Sequence, residues 1–384
     1  MFKRDIEKEL IYLATQYPVV TIIGPRQAGK TTLSRLIFPD YHYCNLELPE
    51  LRQLADSDPK AFFYTYPPPI ILDEIQRVPS LLSYIQVMAD ESDKKGQFIL
   101  TGSHQSKLHE AVTQSLAGRT ALLTLLPLSI HELSQSGLTF TRESFLLNGF
   151  LPRIYKDKLD PTRTYRNYFQ TYVERDLRQI SNVRNLNDFE KFIYLLAGRI
   201  GQLINLQSIS NDLGVTSKTV KEWISILEAS SIIYLLKPYF ENFGKRMVKT
   251  PKLYFTDVGL ATYLLGITES NQLLRDPLIG NLFENLVVIE ALKTRMNLGM
   301  DANLYFYRDN NQNEVDLIYK VGRELIPIEI KSAMTYSDSL YKNINFFQKI
   351  AGSNKGYLIY AGELEIHKEN LSILNFSHTH QIFE

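Results

Sequence analysis

The chain of 384 residues has a single cysteine, Cys44. One thiol excludes an intramolecular disulfide and a cysteine-rich zinc site, and it fits a reducing compartment. No apolar run approaches the ~20 residues that span a bilayer, so no membrane partner is expected. The opening residues, MFKRDIEKEL, are charged and lack the apolar core of a secretion signal. These absences predict a cytoplasmic protein. Charge of one sign is also missing in excess, since 42 Lys and Arg balance 42 Asp and Glu. That balance argues against a highly basic nucleic-acid coat protein but leaves room for a local basic patch, which is what contacts phosphate. What remains is the composition of a globular protein, 44% hydrophobic and 22% charged. It is too long for one ordinary core, and two or three domains are expected.

The clearest signal is YPVVTIIGPRQAGKTTLSRLIF. Val19 to Ile23 has the β-branched profile of a buried parallel strand. GPRQAGKT, Gly24 to Thr31, then matches G-x-x-x-x-G-K-[ST] without a mismatch, and Leu33, Leu36 and Ile37 continue with helical spacing. Glycines let such a loop curl so that its N–H groups and the helix N-terminus face phosphate oxygens. Gly24, Pro25, Arg26, Gln27, Ala28, Gly29, Lys30, Thr31 and the adjoining Thr32 are therefore the candidate nucleotide contacts. Lys30 is expected on the β- and γ-phosphates and the Thr31 hydroxyl on Mg²⁺. The Arg26 side chain has two readings, a contact to nucleotide or one to a neighbour.

An NTPase also needs an apolar strand ending in an acid. PPPIILDEIQ supplies it, with Ile70, Ile71 and Leu72 leading to Asp73 at the strand's C-terminal end, where open α/β sheets bind ligands. Asp73 is expected to hold Mg²⁺ through water, and Glu74 to orient or deprotonate the attacking water. A third strand, QFILTGS, ends in Thr101 and Ser103, placed as sensors of the γ-phosphate. Arg119, in LAGRT, is read either as a trigger arginine or as an ordinary structural one. These features predict an ATP- or GTP-binding α/β domain.

GPRQAGKTT, ILDEIQ, LTGS, SLAGR followed by LPLSIHEL, and later YVERDL together resemble a bacterial and archaeal AAA-type ATPase family. Its members carry a C-terminal domain of historically unknown function. The resemblance spans nearly the whole chain and implies adenine specificity, ATP hydrolysis with Mg²⁺, and a tendency to form homo-oligomers. One departure is TGS, which stands where AAA ATPases usually place Asn.

From Ser134 to Arg199 the pattern is helical, and Tyr165, Phe169, Tyr172, Val173 and Leu177 fall at helical intervals. This is read as a packed helix rather than an aromatic platform for bases. Leu206, Ile209 and Leu213, then Gly214, then Val220, Trp223, Ile224 and Leu227 mark two short helices across a glycine turn, with Thr216 or Ser217 as a cap. The apolar strand IIYLL follows, and the whole reads as a winged helix-turn-helix. Lys218 and Lys221 on the second helix, with Lys237, Lys245, Arg246, Lys249 and Lys252 in the following hairpin, form a candidate phosphate-facing surface for double-stranded DNA. The competing reading is a lid or a contact for a protein partner.

In the last third, Leu282, Leu286, Ile289 and Leu292 form the apolar stripe of a helix that has Glu284 near its start. EVDLIYKVGRELIPIEIK then reads as a hairpin. With Gly322 and Arg323 as a two-residue turn, residue 321 pairs with 324, 319 with 326, and Asp316 faces Glu329. Two facing carboxylates repel unless a cation lies between them, and Lys331 falls on the same face as Glu329. A surface hairpin with solvated charges is the plain alternative, and Glu314 is either a further acid or solvated. Helix with Glu, strand with Asp and strand with Glu-x-Lys together resemble the PD-(D/E)xK nuclease superfamily. That resemblance implies Mg²⁺ on Asp316 and Glu329, Lys331 against the attacking water or phosphate, and Glu284 as an additional acid near the metal. The expected fold is α/β throughout its two ends. Residues 1–133 form a P-loop AAA-type ATPase domain, 134–265 a helical and winged-helix region, and 266–384 an α/β PD-(D/E)xK nuclease-like domain.

Overall fold

The computed structural model describes residues 2–102, 112, 114–174, 186–239 and 249–384. Of the residues singled out above, Ser103, Lys245 and Arg246 lie outside them, as do Arg175, Asp176 and Leu177 of YVERDL. The chain divides into two units. One comprises Met1–Leu128, Ala229–Ser231 and Met296–Met300; the other comprises Ser129–Glu228, Ile232–Arg295 and Asp301–Glu384.

In the first unit the short β-branched runs become strands: β1 Val19–Ile23, β2 His42–Asn45, β3 Ile70–Asp73, β4 Phe98–Gly102 and β5 Thr120–Thr124. They form one sheet in the order β2-β3-β4-β1-β5, with every pairing parallel. Successive side chains point to opposite faces, and the core divides accordingly. Val19, Ile23, Ile70, Leu72, Phe98 and Leu100 pack on one face. Val20, Ile22, Ile71, Ile99 and Leu123 pack on the other. Burial on both faces is why β1, β3 and β4 read as continuous apolar runs. All five strands run the same way, so the C-terminal ends of β1, β3 and β4 meet along one edge.

The second unit begins with helices. Tyr165, Tyr168 and Phe169 are buried there, in keeping with a packed helix rather than an exposed stacking surface. The helices Leu206–Leu213 and Ser217–Ala229 are separated at Gly214, which has the left-handed backbone of a helix end, φ 68°. Asn205 caps the first helix through the Ser208 N–H, and Thr216 caps the second through the Thr219 N–H. Val220, Trp223, Ile224 and Leu227 form the buried face of the second helix.

The strands that follow are β6 Ile233–Pro238, β7 Lys252–Phe255, β8 Leu304–Arg308, β9 Glu314–Val321, β10 Glu324–Lys331, β11 Tyr357–Tyr360, β12 Ile366–His367 and β13 Ser372–Asn375. They make one mixed sheet in the order β12-β13-β11-β10-β9-β8-β6-β7. The β6–β7 hairpin, expected as a wing in the middle region, is thus continuous with the C-terminal strands, since β6 pairs in parallel with β8 at Lys237–Tyr305. The helix Ile279–Asn297 buries Leu282, Leu286, Ile289 and Leu292, as its spacing predicts. The helix Lys342–Ala351 buries Ile344 and Phe347.

Candidate functional site

At the end of β1 the chain turns through the phosphate loop and enters the helix Lys30–Ile37. Two glycines are required there for different reasons. Gly24 has φ 151°, and a Cβ on it would lie 2.1 Å from the Leu125 carbonyl oxygen, so no side chain fits. Gly29 has φ 98°, a conformation that L side chains rarely adopt. Lys30 is 6% exposed, and its ammonium donates to the carbonyls of Gly24 at 2.9 Å and Pro25 at 2.8 Å. Burial lowers its pKa to about 8, against the pull of Glu74 and Asp73. The amine therefore spans the concave side of the loop, where phosphate oxygens would replace the two carbonyls.

Asp73 ends β3, and one strand, β4, separates it from β1. Three hydroxyls converge on its carboxylate. Thr31 donates at 3.0–3.1 Å, Tyr43 donates at 2.9 Å, and Thr101 of β4 makes a short contact. Thr101 also accepts from the Glu74 main-chain N–H at 3.4 Å, so one hydroxyl touches both residues. Glu74 is held with φ 58°, an uncommon conformation for a non-glycine residue, and its carboxylate accepts from Gln76. Lys30, Thr31, Asp73 and Glu74 are brought together as the motifs predict. The hydroxyl and carboxylate of Thr31 and Asp73 are the oxygen donors that Mg²⁺ takes, so these residues suit that ion. Tyr43 was not legible in advance. It reaches Asp73 from β2, whose pairing with β3 (Tyr43 opposite Ile71) no local motif announces. Burial, then the Asp73 charge, raises the Tyr43 pKa, keeping the phenol a donor.

The two arginines differ in placement: Arg26 stays by the loop, where its charge acts on Lys30, and Arg119 does not. Arg26 lies 3.8 Å from Glu47. Arg119 is clamped by Asp90, with contacts of 2.5 and 2.8 Å, and it donates to the Ala117 carbonyl at 3.0 Å. The ion pair raises the Arg119 pKa and lowers that of Asp90. Arg119 precedes β5, and its carbonyl accepts from the Val19 N–H at the start of β1. The phosphate loop follows the other end of β1, ~16 Å away for five residues of strand. Arg119 is therefore out of reach of this chain's own phosphate loop. Within this chain Arg119 braces the sheet edge opposite the phosphate loop.

In the second unit the hairpin has the expected register, with Val321 opposite Glu324 and Tyr319 opposite Ile326, around Gly322 at φ 60°. The ladder runs to Leu317–Ile328. Beyond it the Ile330 N–H donates to the Asp316 carboxylate at 2.9 Å. Asp316 and Glu329 share the Lys331 ammonium, at 3.1 and 2.7 Å, and Asn343 donates to Glu329 at 3.0 Å. Burial and then Asp316 push the Glu329 pKa up to about 8, against Lys331. Its second carboxylate oxygen is buried with no hydrogen-bond partner. At Lys331 the two carboxylates outweigh burial and raise the pKa.

Glu284, whose pKa burial and the Asp316 charge raise against the pull of Lys252, takes its hydrogen bonds from β7. It accepts from Lys252 at 2.8 Å and Tyr254 at 2.6 Å, and Lys252 also meets Glu314 at 2.5 Å. Two expectations change. Lys252, counted above among phosphate-facing residues, is 2% exposed and faces carboxylates. Burial lowers its pKa less than Tyr254, Glu284, Asp316 and Glu314 raise it. The set Glu284, Asp316 and Glu329 does not assemble as a metal centre, because β7 supplies an ammonium and a phenol to Glu284. Among the described residues no group of three or more His, Cys, Asp or Glu is arranged to hold a metal ion. Glu314 is a member of the cluster rather than a solvated acid, and Arg308 flanks it at 3.2 Å.

Comparison with known proteins divides the chain into three matched segments. Residues 16–134 match an AAA domain family, 140–271 a domain of unknown function (DUF8612), and 279–378 a domain of unknown function (DUF4143). An uncharacterized protein of Mycobacterium tuberculosis is 30% identical over 342 residues, covering 88% of this chain and 75% of the relative. An uncharacterized protein of Haemophilus influenzae is 25% identical over 324 residues, 79% of this chain and 75% of the relative. Among solved structures, a Walker-type ATPase of Pyrococcus abyssi aligns with a TM-score of 0.46 at 16% identity, covering 69% of this chain and 96% of that one. AMPPCP-bound DnaA of Aquifex aeolicus aligns with a TM-score of 0.30 at 16% identity, covering 58% and 85%. On the sequence relationship and the loop geometry, the chain belongs to the family that joins a P-loop AAA ATPase domain to a C-terminal DUF4143 domain.

Proposed function

We propose that the protein binds and hydrolyses ATP with Mg²⁺, and that its nucleotide state controls the half of the chain holding Asp316, Glu329 and Lys331. The observation that carries the first part is the Thr31–Asp73 contact beside the buried Lys30 ammonium. Lys30 exchanges its two carbonyl partners for the β- and γ-phosphates. Thr31, and Asp73 through water, would hold the Mg²⁺, which would neutralise charge on the phosphate oxygens. Glu74 positions the attacking water and accepts its proton.

For the second half two readings differ in chemistry. In one, the half binds double-stranded DNA through Lys218, Lys221, Lys237 and Lys249, all exposed, and cleaves it at the hairpin. In the other, it is a nucleotide-switched contact for a protein partner and its nuclease-like site is inert. The pairing of Lys252 with Glu284 and Glu314, an ammonium that the nuclease reading does not call for, supports the second. Lys331 beside Asp316 and Glu329 fits either reading.

One experiment tests both parts. Lys30→Ala is expected to abolish ATP binding and turnover, and unchanged turnover would sink the ATPase reading. In the same preparations, with Mg²⁺ and supercoiled plasmid, the inert reading expects no nicking by the wild type. Nicking that disappears in Asp316→Asn, with ATP turnover intact, would replace it by the nuclease reading.

A further inference from the structure

Arg4 precedes every motif discussed so far, yet it is one of the few buried charges of the first unit, 6% exposed. Its guanidinium donates to the Ala28 carbonyl inside the phosphate loop and to the Leu126 carbonyl just past β5, both at 2.7 Å. Both distances are at the short end for a charge-assisted bond. Arg4 is itself fixed at the start of the helix Glu7–Gln16. Its N–H donates to the Glu7 carboxylate at 2.8 Å, and its carbonyl accepts from the Glu7 N–H at 3.2 Å. Ile6 and Leu10 beside it pack in the same core cluster as Ala28 and Leu33.

The Ala28–Gly29 peptide bond is trans, so its C=O and N–H lie in one plane and point in opposite directions. Pulling the carbonyl toward Arg4 turns the Gly29 N–H away, to the loop's other side. In loops of this type, backbone N–H groups on that side cradle phosphate oxygens. Gly29, at φ 98°, has no side chain to fix the orientation of this peptide. The guanidinium also polarises the peptide, strengthening the N–H as a donor.

We propose that Arg4 is a positioning residue of the nucleotide site. It holds the Ala28–Gly29 peptide so that the Gly29 N–H meets the phosphates, with the Leu126 carbonyl as its anchor. This rests on the phosphate loop binding ATP, as proposed above. The Gly29 N–H contacts phosphate in the ground state and the transition state alike, so its loss weakens both equally. Such a loss raises KM and leaves kcat in place. Loss of folded protein does the reverse, lowering apparent kcat at constant KM.

The test compares wild type, Arg4→Met, Arg4→Lys and Lys30→Ala by steady-state ATP turnover and by the Kd for ADP. Arg4→Met is expected to raise KM and the ADP Kd about tenfold, the cost of one charge-assisted hydrogen bond. kcat should change by less than about twofold, and Arg4→Lys should fall between the two. Unchanged KM and Kd in Arg4→Met, or a fall in kcat alone, would overturn the proposal. If Arg4→Met is too unstable to assay, Arg4→Lys carries the same decision through its ADP Kd. Loss of binding in Lys30→Ala but not in Arg4→Met rejects Arg4 alone, whereas a wild type that binds no ATP rejects the ATPase reading and Arg4 with it.

Discussion

At the scale of single residues, the ATP site depends on groups whose charge is set by burial. Lys30 is held near a pKa of about 8 by desolvation, and its ammonium is offset only by Glu74, Asp73 and two carbonyls. Polyphosphate arriving beside it favours the charged form, so the bound state takes up a proton that the free state loses above pH 8. Affinity for ATP should therefore be flat below pH 7 and weaken as pH rises through about 8, approaching tenfold per unit above it. Titration calorimetry between pH 6.5 and 9.5, in buffers of differing ionisation enthalpy, checks this, and Kd values independent of pH across that range would reject it. Lys30, Thr31, Asp73 and Glu74 were legible because their roles follow from fixed spacing next to a strand end. Tyr43 and Arg4 were not, since each reaches the site from a segment remote in sequence through a single side chain. Nothing in HYCN or FKRDI carries a local pattern that announces such a contact.

At the scale of elements, the hairpin register and the parallel sense of the first sheet were readable, and the end of the sheet at which Arg119 falls was not. Gly322 and Arg323 fix the turn and the period of two fixes the faces, so Asp316, Glu329 and Lys331 came out on one side. Arg119 stands shortly after β4 in sequence, but a parallel strand must begin at the edge opposite to where its predecessor ended. That geometry took Arg119 to Asp90. Lys252 was misjudged for a related reason, because counting basic residues in a hairpin ignores which face each one occupies. Its position yields a test. Lys252→Met leaves Glu284 and Glu314 without their ammonium in a buried setting, and should destabilise the fold by about 3–5 kcal/mol. Chemical denaturation measures this, with partial recovery expected in the double variant Lys252→Met/Glu284→Gln. A fully stable Lys252→Met with reduced DNA affinity would restore its reading as a phosphate contact.

At the scale of the whole molecule, the proposed control of the second unit by nucleotide requires that ATP bound in the first unit alter strands of the second. Hydrogen exchange offers a direct measure. Addition of a non-hydrolysable ATP analogue should alter exchange in the β9–β10 hairpin of wild type and leave Lys30→Ala unaffected. Changes confined to residues 19–128 would reject control of the second half. The least legible feature at this scale was that the middle and C-terminal regions share one sheet. It depends on β6 pairing with β8 across a long stretch of chain, at Lys237–Tyr305 and Pro238–Phe306, and no local composition shift marks that pairing.

Gly24 lies so close to Leu125 that any side chain there would strike its carbonyl, and the Leu125 N–H is bonded to Ile23 at 2.8 Å. Main chain meets main chain, with no flexible side chain between to absorb a shift. A side chain at position 24 could therefore be accommodated only by moving the phosphate loop itself or the main chain that follows β5, and substitution there should cost nucleotide binding and stability together.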